Sequence, residues 1–563
     1  MSQYQEEVNA KEGLKTLVLL CSSLEKLGSG LDLKEIRKWV QEMGSGVEVR
    51  AVPGLCHQPG KIAEAVPGSK SLRLVLGLCS RDYPQIELHA NARKAGLDPF
   101  GIEVVSLGAY CARVHPRPQA TEKAKLLLVA AVAKAGAFPG SNPDSVKPVL
   151  MWNQAISRRA LFKLPLFRYE PVPFIRPESC AVDEGCGVCA VICPRQALGL
   201  SSEGIMALDK TRCSGCGACL SVCPQTAIEM PGVSPQQIDA QIAKLLDTSS
   251  LAIYPRAILF VCEKSADALE ALAWKGLSYP VEWLPVDVPC VGIVTPAWLL
   301  HCVNVGAAAV AAFPCGREDC RFGKREVIEG RVSYCREFLS LLGASPDAAR
   351  LLDPCDGEQL ARALASLPER EKKPREDRFG DIRVFGPRAA AQALLGLAER
   401  FAPSSEHSLA HPYSPLGMVE VEQGCTVCEA CVQNCPTDAL RIERDAEGVA
   451  LTFDAGLCIG CEACVPVCPE HAVRVEKVAN LSRLALGEVT VHRATEVRCE
   501  KCGGPVAPAE MLRKITVLLG SDSAVSTVTR YCLSCRGVML PGEGYCGRIS
   551  IKAEPSDQSV KGG

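Results

Sequence analysis

The sequence predicts a multidomain protein of the α/β plus α+β class, with two α/β domains built on parallel sheets and several small cysteine-rich modules. Apolar runs that end at or beside a cysteine alternate with helical patterns in two parts of the chain, as is typical of βαβ units. Four groups of four cysteines, each ending in Cys-Pro, occur as two pairs, and two Cys-x-x-Cys pairs follow near the C-terminus. With 563 residues, the chain has room for about three to five domains.

The composition indicates a metal-binding protein of a reducing compartment. The chain contains 32 cysteines, and their spacing favours thiolate ligation of metal over disulfide bonding. Its formal net charge of −2 gives no sign of a nucleic-acid or anionic-membrane partner. The N-terminus lacks a secretory pattern, and the best apolar run, at 126–138, is interrupted by Lys134 and too short to span a membrane. These features predict a cytoplasmic protein without a membrane span.

The first α/β domain is predicted over residues 1–140. Its four apolar runs, TLVLLC, VEVRAVPGLC, RLVLGLC and IEVVSLGAYC, each end in a cysteine. Because the carboxyl ends of parallel strands meet at one edge of a sheet, the four thiols are expected to converge there and to hold a [4Fe–4S] cluster. The alternative is that these cysteines are ordinary buried residues. The predicted ligands are Cys21, Cys56, Cys79 and Cys111.

Residues 415–478 contain the same motif twice, C-TV-C-EA-C-VQN-CP and then C-IG-C-EA-C-VPV-CP. The run resembles that of bacterial ferredoxins, in which three thiolates hold one [4Fe–4S] cube and the fourth reaches the other cube. The segment is therefore predicted to be a ferredoxin-like dicluster module. Its two predicted ligand sets are Cys425, Cys428, Cys431 and Cys468, and Cys458, Cys461, Cys464 and Cys435.

A second copy of this module is predicted at residues 176–232. Its first half departs from the pattern, because five residues rather than two separate Cys180 from Cys186. A longer loop can still deliver a thiolate, so Cys180 stays in the predicted set. The two ligand sets are Cys180, Cys186, Cys189 and Cys223, and Cys213, Cys216, Cys219 and Cys193.

The N-terminal segment resembles the first domain of the A-type subunit of heterodisulfide reductase over about 120 residues. The shared features are the strand-end pair Cys79 and Ser80, the AGLDPF turn at 95–100, the Cys-x-x-Val-His at 111–115 and the TEKA helix start at 121–124. The family normally continues into a flavin-binding domain. No G-x-G-x-x-G follows a strand in this chain, so no FAD is expected. His115 is interpreted as a structural residue rather than a ligand.

A second α/β domain is predicted over residues 250–345, and again its strands end in cysteine. It resembles the small D-type iron–sulfur subunit of the methyl-viologen-reducing hydrogenase, through features that include the TPAWLLHCVNVGAAAV segment and the later RVSY. The resemblance implies a [2Fe–2S] cluster. Where that family often has a second cysteine, this chain has Ser265, and Cys302 falls in a helical pattern that indicates packing. The implied ligands are Cys262, Cys290, Cys315 and Cys320.

The remaining segments are predicted to be connections, a small ribbon and a tail. Two Cys-x-x-Cys pairs within residues 494–550 are typical of a zinc ribbon, and mononuclear iron is the alternative because it takes the same ligands. The ribbon-like ligands are Cys499, Cys502, Cys532 and Cys535. The other predicted segments are a linker at 141–175, a linker with one helix (388–401) at 346–412, and a disordered tail at 551–563. The cysteines left without a predicted ligand role are Cys302, Cys335, Cys355 and Cys546.

Most of the cysteines are predicted to bind clusters, and the sequence shows no set of residues typical of a nucleophilic active site. The chain is therefore predicted to transfer electrons rather than to catalyse a reaction. The resemblances imply a component of a heterodisulfide-reductase-like complex. It would relay electrons from a hydrogenase, formate dehydrogenase or ferredoxin to a catalytic or flavin-bearing partner. The alternatives are a reductase with its own substrate site at the N-terminal cluster, an electron-input subunit of a benzoyl-CoA-reductase-type complex, and a redox-responsive scaffold.

Overall fold

The structure of the protein is a computed structural model. It describes residues 15–43, 46–58, 60–66, 72–81, 85–150, 167–247, 253–316, 320–353, 357–367, 385–402, 407–445, 447–520 and 523–539. The chain forms two compact units. The first comprises Met1–Met418, Gly456–Cys461 and Glu476–Leu486, and the second comprises Val419–Ala455, Glu462–Val475 and Gly487–Gly563.

The N-terminal domain is built on a parallel sheet of four strands in the order β2-β1-β3-β4. The central strand β1 is apolar and buried along almost its whole length, which explains why its run of Leu and Val predicts a strand so clearly. The strands are β1 (Lys15–Cys21), β2 (Val47–Val52), β3 (Leu72–Gly77) and β4 (Ile102–Val105), and the helices are α1 (Leu33–Met43), α2 (Gly60–Ala65), α3 (Gln85–Lys94) and α4 (Arg117–Gly136).

The first cysteine-rich module follows a pair of antiparallel strands that occupy part of the predicted linker at 141–175. The module itself contains only short elements, since tight loops wrap its cysteines. A helix whose N-terminus is capped by Ser234 and Gln237 leaves it. The elements are β5 (Val146–Leu150), β6 (Phe167–Pro171), β7 (Phe174–Ile175), α5 (Val188–Ile192), β8 (Leu198–Leu200), β9 (Met206–Leu208), α6 (Ala218–Val222), β10 (Ile228–Glu229) and α7 (Pro235–Leu246).

The second domain has a parallel sheet of four strands in the order β12-β11-β13-β14. This order repeats that of the N-terminal domain, with the first strand inside the sheet and the second at its edge. The strands are β11 (Ala257–Cys262), β12 (Trp283–Val288), β13 (Ala309–Phe313) and β14 (Ala349–Leu351). The helices are α8 (Glu263–Trp274), α9 (Pro296–Asn304), α10 (Arg325–Leu341), α11 (Gly357–Leu364) and α12 (Pro387–Phe401).

The second domain extends beyond the predicted boundary at residue 345. Strand β14 pairs with β13 and completes the sheet, so part of the predicted linker at 346–412 belongs to the domain. The linker also contains two helices, α11 and α12, where one was predicted. Strand β14 has only three residues in a charged stretch, and this explains why the apolar pattern did not reveal it.

The second unit contains a three-stranded antiparallel sheet in the order β17-β18-β21, with β18 buried along its whole length. The strands from here to the C-terminus are β15 (Ser408–Ala410), β16 (Met418–Val421), β17 (Leu440–Asp445), β18 (Gly448–Asp454), β19 (Val473–Glu476), β20 (Val478–Asn480), β21 (Glu488–Ala494), β22 (Glu496–Arg498) and β23 (Pro505–Pro508). The helices are α13 (Ala430–Gln433), α14 (Leu481–Leu486), α15 (Ala509–Leu519), α16 (Ser523–Arg530) and α17 (Leu533–Met539). The predicted tail at 551–563 lies outside the described residues.

Candidate iron–sulfur sites

Three of the four cysteines predicted for the N-terminal site lie together at the carboxyl edge of the first sheet. The sulfur atoms of Cys21, Cys56 and Cys79 lie within 4.8 Å of one another, and all three residues are buried. The backbone N–H of Cys79 donates to the Cys56 sulfur at 3.1 Å. Hydrogen bonds with the Cys56 and Cys79 thiols hold the pKa of Cys21 well below its ordinary value. The donor set suits a metal–sulfur centre, because it supplies a thiolate and a backbone donor to sulfur.

Cys111 is not a member of this three-thiol group. It is fully buried in the tight turn Gly108–Ala112, and burial raises the pKa of its thiol to about 12. The turn lies against the Cys79 strand end, because a Cβ atom at Gly108 would overlap the Cys79 carbonyl oxygen and only glycine fits. Cys111 as the fourth ligand therefore remains a prediction.

His115 has protein partners, as expected for a structural residue. Its Nε2 lies 3.1 Å from the Lys123 Nζ, and its ring meets the Tyr279 ring edge to face at 5.3 Å between centroids. Burial lowers the pKa of His115 to about 2 and that of Lys123 to about 7. These contacts occupy the histidine at the boundary with the second domain.

The four cysteines predicted for the second domain lie together as a connected group. Their thiols act on one another's pKa values: Cys262 with Cys315, Cys315 with Cys320, and Cys320 with Cys290. Interaction with the Cys315 thiol lowers the pKa of Cys262 to about 6, and interaction with the Cys290 and Cys315 thiols lowers the pKa of Cys320 to about 2. The strand order brings these residues together, because Cys262 ends β11 and Cys290 and Cys315 each follow a neighbouring strand by two residues.

Ser265 contacts the sulfur of Cys262. Its hydroxyl lies 3.2 Å from the Cys262 Sγ and 3.1 Å from the Cys262 carbonyl oxygen, and it accepts the Cys262 N–H at 2.9 Å. A serine hydroxyl in this position can donate a hydrogen bond to a thiolate. Where the related family often has a second cysteine, this chain therefore has a hydrogen-bond donor to the predicted ligand Cys262.

The loop that carries Cys290 is held in place by Arg331 and by the packing of Phe322 against Gly292, and neither contact was predicted from the sequence. The buried Arg331 donates from Nη1 to the carbonyl oxygens of Gly292 at 2.8 Å and Val294 at 3.0 Å. A Cβ atom at Gly292 would lie 2.6 Å from the ring of Phe322, so the glycine permits this ring to pack there. Because Phe322 follows Cys320 by two residues, the packing brings Cys320 beside Cys290.

The eight cysteines of the first module influence one another's pKa values. Burial raises the pKa of Cys189 to about 12, and the thiols of Cys223, Cys186 and Cys180 contribute to the rise. Burial likewise raises the pKa of Cys219 well above its ordinary value. The thiols that add to the pKa shift of Cys219 are Cys216, Cys189, Cys213 and Cys193. The Cys180 thiol thus acts on the pKa of Cys189 despite the longer loop, and the two ligand sets of this module remain a prediction.

A left-handed residue follows each Cys-Pro pair by two positions, and this feature was missed in the sequence. The four residues have φ angles between 48° and 53°. The turn aims the next N–H at the cysteine, so Ala197 donates to Cys193, Ala227 to Cys223 and Ala472 to Cys468, each at 3.3 Å. The signal was available, because all four runs read Cys-Pro-x-x-Ala. The left-handed residues are Gln196, Thr226, Asp438 and His471.

In the second unit, one predicted ligand set of the later module lines a common pocket. Neighbouring thiols add to the effect of burial and raise the pKa of Cys431 to about 12. The cysteines around the pocket are Cys425, Cys428, Cys431 and Cys468. Of the other predicted set, Cys458 and Cys461 belong to the first unit and Cys435 and Cys464 to the second. That set remains a prediction.

The first module contacts the second domain beside the cysteines of both. The Ser214 hydroxyl donates to the Arg321 carbonyl oxygen at 2.9 Å, and the Lys324 Nζ donates to the Ile192 carbonyl oxygen at 3.3 Å. Ser214 and Arg321 directly follow Cys213 and Cys320 in the chain. The Cys216 thiol also contributes to the raised pKa of Cys290, after larger effects from Cys320 and burial.

The four cysteines of the predicted ribbon form a compact site in the second unit. Their sulfur atoms all lie within 4.8 Å of one another, and the Cys502 and Cys532 sulfurs are 3.5 Å apart. A tetrahedral zinc site with metal–sulfur bonds of about 2.3 Å places its sulfurs about 3.8 Å apart, so this donor set fits such a metal. Tight turns shape the site, since the Cys499 N–H donates to the Gly504 carbonyl oxygen and the Gly503 N–H donates back to that of Cys499.

The cysteines without a predicted ligand role are buried where the structure describes them. Cys302 lies on α9 and Cys335 on α10, and both are fully buried. Burial raises the pKa of each thiol, and no neighbouring thiol contributes to either shift. Both therefore behave as inert packing residues. Cys355 and Cys546 lie outside the described residues.

Comparison with protein families agrees with this arrangement. Residues 179–228 and 424–472 match the family model of the 4Fe-4S dicluster domain, and residues 257–371 match that of the methyl-viologen-reducing hydrogenase, delta subunit. Together with the grouped thiols, these matches define the class of iron–sulfur proteins of electron transport. No helix in the described ranges has the length and apolar character needed to cross a membrane.

Among individual proteins, the chain is similar to A-type subunits of heterodisulfide reductase. It is 28% identical over 130 residues to a protein of Archaeoglobus profundus described as like that subunit, covering 22% of this chain and 18% of that protein. It is also 28% identical over 129 residues to an A-type iron-sulfur subunit of CoB--CoM heterodisulfide reductase from Methanopyrus kandleri, covering 22% and 19%. The corresponding protein of Methanocaldococcus jannaschii is 27% identical over 122 residues, covering 21% and 19%. The matches thus span about a fifth of the length of these relatives.

Proposed function

We propose that this protein is the electron-transfer subunit of a heterodisulfide-reductase-like complex of anaerobic metabolism. It would relay electrons between a donor, such as a hydrogenase, a formate dehydrogenase or a ferredoxin, and a catalytic or flavin-bearing partner in the cytoplasm. The observation that carries the proposal is the contact between the first module and the second domain. Ser214 and Arg321 meet there, and Cys216 and Cys290 belong to adjacent thiol groups. Adjacent clusters are what an electron relay requires.

The proposed cofactors are five [4Fe–4S] clusters, one [2Fe–2S] cluster and one zinc, with mononuclear iron as the alternative to zinc. The proposed [2Fe–2S] ligands are Cys262, Cys290, Cys315 and Cys320, supported by the positions of the first three at the carboxyl ends of neighbouring parallel strands. Two cubes are assigned to each dicluster module, and the fifth to the N-terminal site. When bound, such clusters supply one-electron chemistry. The chain's own residues hold them, bury them and donate hydrogen bonds to their sulfur ligands.

The first test of this function is the iron content of anaerobically purified protein. We expect about 22 iron atoms per chain, four for each of five cubes and two for the smaller cluster, and no stoichiometric flavin. Electron paramagnetic resonance of the reduced protein should show a [2Fe–2S] signal that Cys315→Ser removes. The matched control is Cys302→Ser, which should keep that signal because Cys302 lies within the helix α9 rather than at a strand end.

Two outcomes would contradict this assignment. An iron content of about 16 atoms, as expected for four cubes alone, would exclude clusters in both α/β domains. Loss of the [2Fe–2S] signal in Cys302→Ser, with retention in Cys315→Ser, would show that the ligand set is wrong.

A second candidate function is a reductase with its own substrate site at the N-terminal cluster. The position of Cys111 favours it, because only Cys21, Cys56 and Cys79 form the three-thiol group among the described residues. A cube held by three thiolates has one iron open to another ligand. Cys111→Ala distinguishes the candidates. An unchanged N-terminal signal would favour the reductase, and its loss would favour the relay.

A further inference from the structure

The N-terminal domain contacts the second domain through a closed triangle of polar groups. The Arg81 Nη1 lies 2.7 Å from the Asp287 Oδ1, and the Tyr110 hydroxyl donates to the same oxygen at 2.9 Å. Arg81 also donates to the Tyr110 hydroxyl oxygen at 2.8 Å. We call Arg81, Tyr110 and Asp287 the Arg81 joint. Each member contacts the other two, so the guanidinium is fixed from both domains.

A buried carboxylate supports the joint from α8. Glu270 is 9% exposed, and it accepts the Ser80 hydroxyl at 2.5 Å and the Arg81 N–H at 3.2 Å. The Arg113 Nη1 lies 3.8 Å from the Glu270 Oε1. The Cζ atom of the same guanidinium lies over the Trp274 ring, 3.6 Å from its centroid. The strand end that carries Cys79 is therefore held directly against the second domain.

The members of the joint are close in sequence to predicted ligands of two different sites. Arg81 follows Cys79 by two residues, and Asp287 precedes Cys290 by three. One 2.7 Å contact thus connects two short covalent segments, each of which ends at a predicted cluster ligand. Electron tunnelling is faster along bonds and hydrogen bonds than across gaps. The joint is therefore a short bonded route between the two sites.

The joint is an ion pair rather than an apolar contact. An ion pair removed from water is a weak way to hold two domains together, because desolvation offsets the attraction, and apolar side chains would hold them as well. The Arg81 side chain is nevertheless only 18% exposed. Asp287 balances the charge of Arg81, so the joint brings no net positive charge between the two thiol groups, and what it provides there is its three hydrogen bonds.

We propose that the Arg81 joint carries electrons directly between the N-terminal site and the four-cysteine site of the second domain. This inference rests on the proposed function, since both sites must hold clusters. In each transfer one electron leaves one cluster and reduces the other, and no bond or proton is exchanged. The second domain then becomes a branch point, because the first module contacts it at Ser214 and Arg321 while the N-terminal domain contacts it at Asp287.

The test follows one electron through the full-length protein. Photoreduction with deazaflavin injects on average less than one electron per chain, and freeze-quenched paramagnetic resonance follows the decay of the [2Fe–2S] signal and the rise of the N-terminal signal. The latter is assigned by its loss in Cys79→Ser. We expect Arg81→Met to slow this transfer by about tenfold, since the charged hydrogen bonds that join the domains are lost. Arg81→Lys should recover part of the rate, because it keeps the charge but not the two-sided geometry.

The matched control is Arg336→Met, which removes an arginine of the second domain whose exposed partner Asp347 lies 3.3 Å away. Its transfer rate should equal that of the natural protein. If Arg81→Met loses iron from the N-terminal site, Asp287→Leu serves instead, because it is similar in size and removes both hydrogen bonds that Asp287 accepts. An unchanged rate in the variant that retains its iron overturns the proposal. Absence of an N-terminal signal in the natural protein overturns both this proposal and the assignment of a cluster there.

Discussion

Replacing Ser265 offers a way to change the reduction potential of the proposed [2Fe–2S] cluster while keeping all four predicted ligands. Its hydroxyl lies 3.2 Å from the Cys262 sulfur, and a hydrogen bond to that sulfur stabilises the reduced, more negative cluster. We expect Ser265→Ala to lower the reduction potential by about 40 mV, which corresponds to the loss of about 1 kcal/mol of hydrogen bonding in a one-electron couple. Potentiometric titration followed by paramagnetic resonance measures the shift.

Ser333→Ala is the control for this substitution. Ser333 lies on α10 in the same domain and bonds to Glu337 at 3.0 Å on the exposed face, so its removal should leave the potential unchanged. If both variants show the potential of the natural protein, Ser265 only caps the helix and does not donate to the sulfur.

Arg331 holds the loop that carries Cys290, a role that the sequence does not reveal. The RVSY segment was a matching motif without a function. In the structure its arginine is buried and fixes the Cys290 loop through Gly292 and Val294. The two partners are 39 and 37 residues away in the chain, and no local pattern indicates such a distant pairing.

Among the elements, the left-handed turn after each Cys-Pro pair is the most specific. A residue other than glycine in this region costs roughly 1–2 kcal/mol, yet the turn occurs four times with φ angles from 48° to 53°. In Thr226 it directs the Ala227 N–H to Cys223. Proline holds φ at about −65°, so Thr226→Pro should prevent the turn and remove about four iron atoms per chain, measured by iron analysis.

Thr226→Gly is the matched variant for the turn. Glycine adopts the left-handed conformation freely but gains freedom in the unfolded chain, so the free energy of unfolding should change by less than about 1 kcal/mol and all iron should remain. Full retention of iron in Thr226→Pro would mean that the cluster does not depend on this turn.

Many of the strands, and the positions of several predicted ligands at strand ends, could be predicted from the sequence. Apolar runs fix buried parallel strands such as β1 and β11, and their carboxyl ends set where Cys21 and Cys262 lie. Spacing also predicts two cysteine sets in the first module, and these remain predictions. Short β14 was missed because three residues give no periodicity. The contact of Arg81 with Asp287, 206 residues apart, depends on domain packing, which local patterns do not encode.

At the scale of the whole molecule, the ribbon should be separable from the clusters. We expect Cys502→Ser to lose the proposed zinc and to unfold the ribbon locally, because a closed four-thiolate site supplies much of the folding energy of such a small element. The cluster signals should persist. Metal analysis and paramagnetic resonance on the same sample measure both effects.

Lys501→Ser tests whether the effect belongs to the thiol, since Lys501 lies between Cys499 and Cys502 in the same knuckle. This variant should keep its zinc. Iron in place of zinc in the natural protein would support the mononuclear iron alternative, and unchanged zinc in Cys502→Ser would remove the ribbon assignment.

The two parallel sheets lie in distant parts of the chain but have the same arrangement of strands and cysteines. Both have the strand order second-first-third-fourth, and Cys21 and Cys262 are each the last residue of the first strand. The next two cysteines that join each thiol group follow the second and third strands. The same backbone arrangement thus presents thiols at the point where the strand order reverses, which is where open parallel sheets form their sites.

The contact between Ser214 and Arg321 is small and polar, and its occurrence within one polypeptide has a kinetic consequence. Two separate proteins would lose roughly 4–15 kcal/mol of translational and rotational freedom on meeting through such a surface, and would be dissociated for much of the time. A covalent tether replaces that encounter with an effective concentration that can reach the millimolar range. The proposed electron flow between these two sites would then be independent of protein concentration, and dilution of the purified chain should leave its internal transfer rate unchanged.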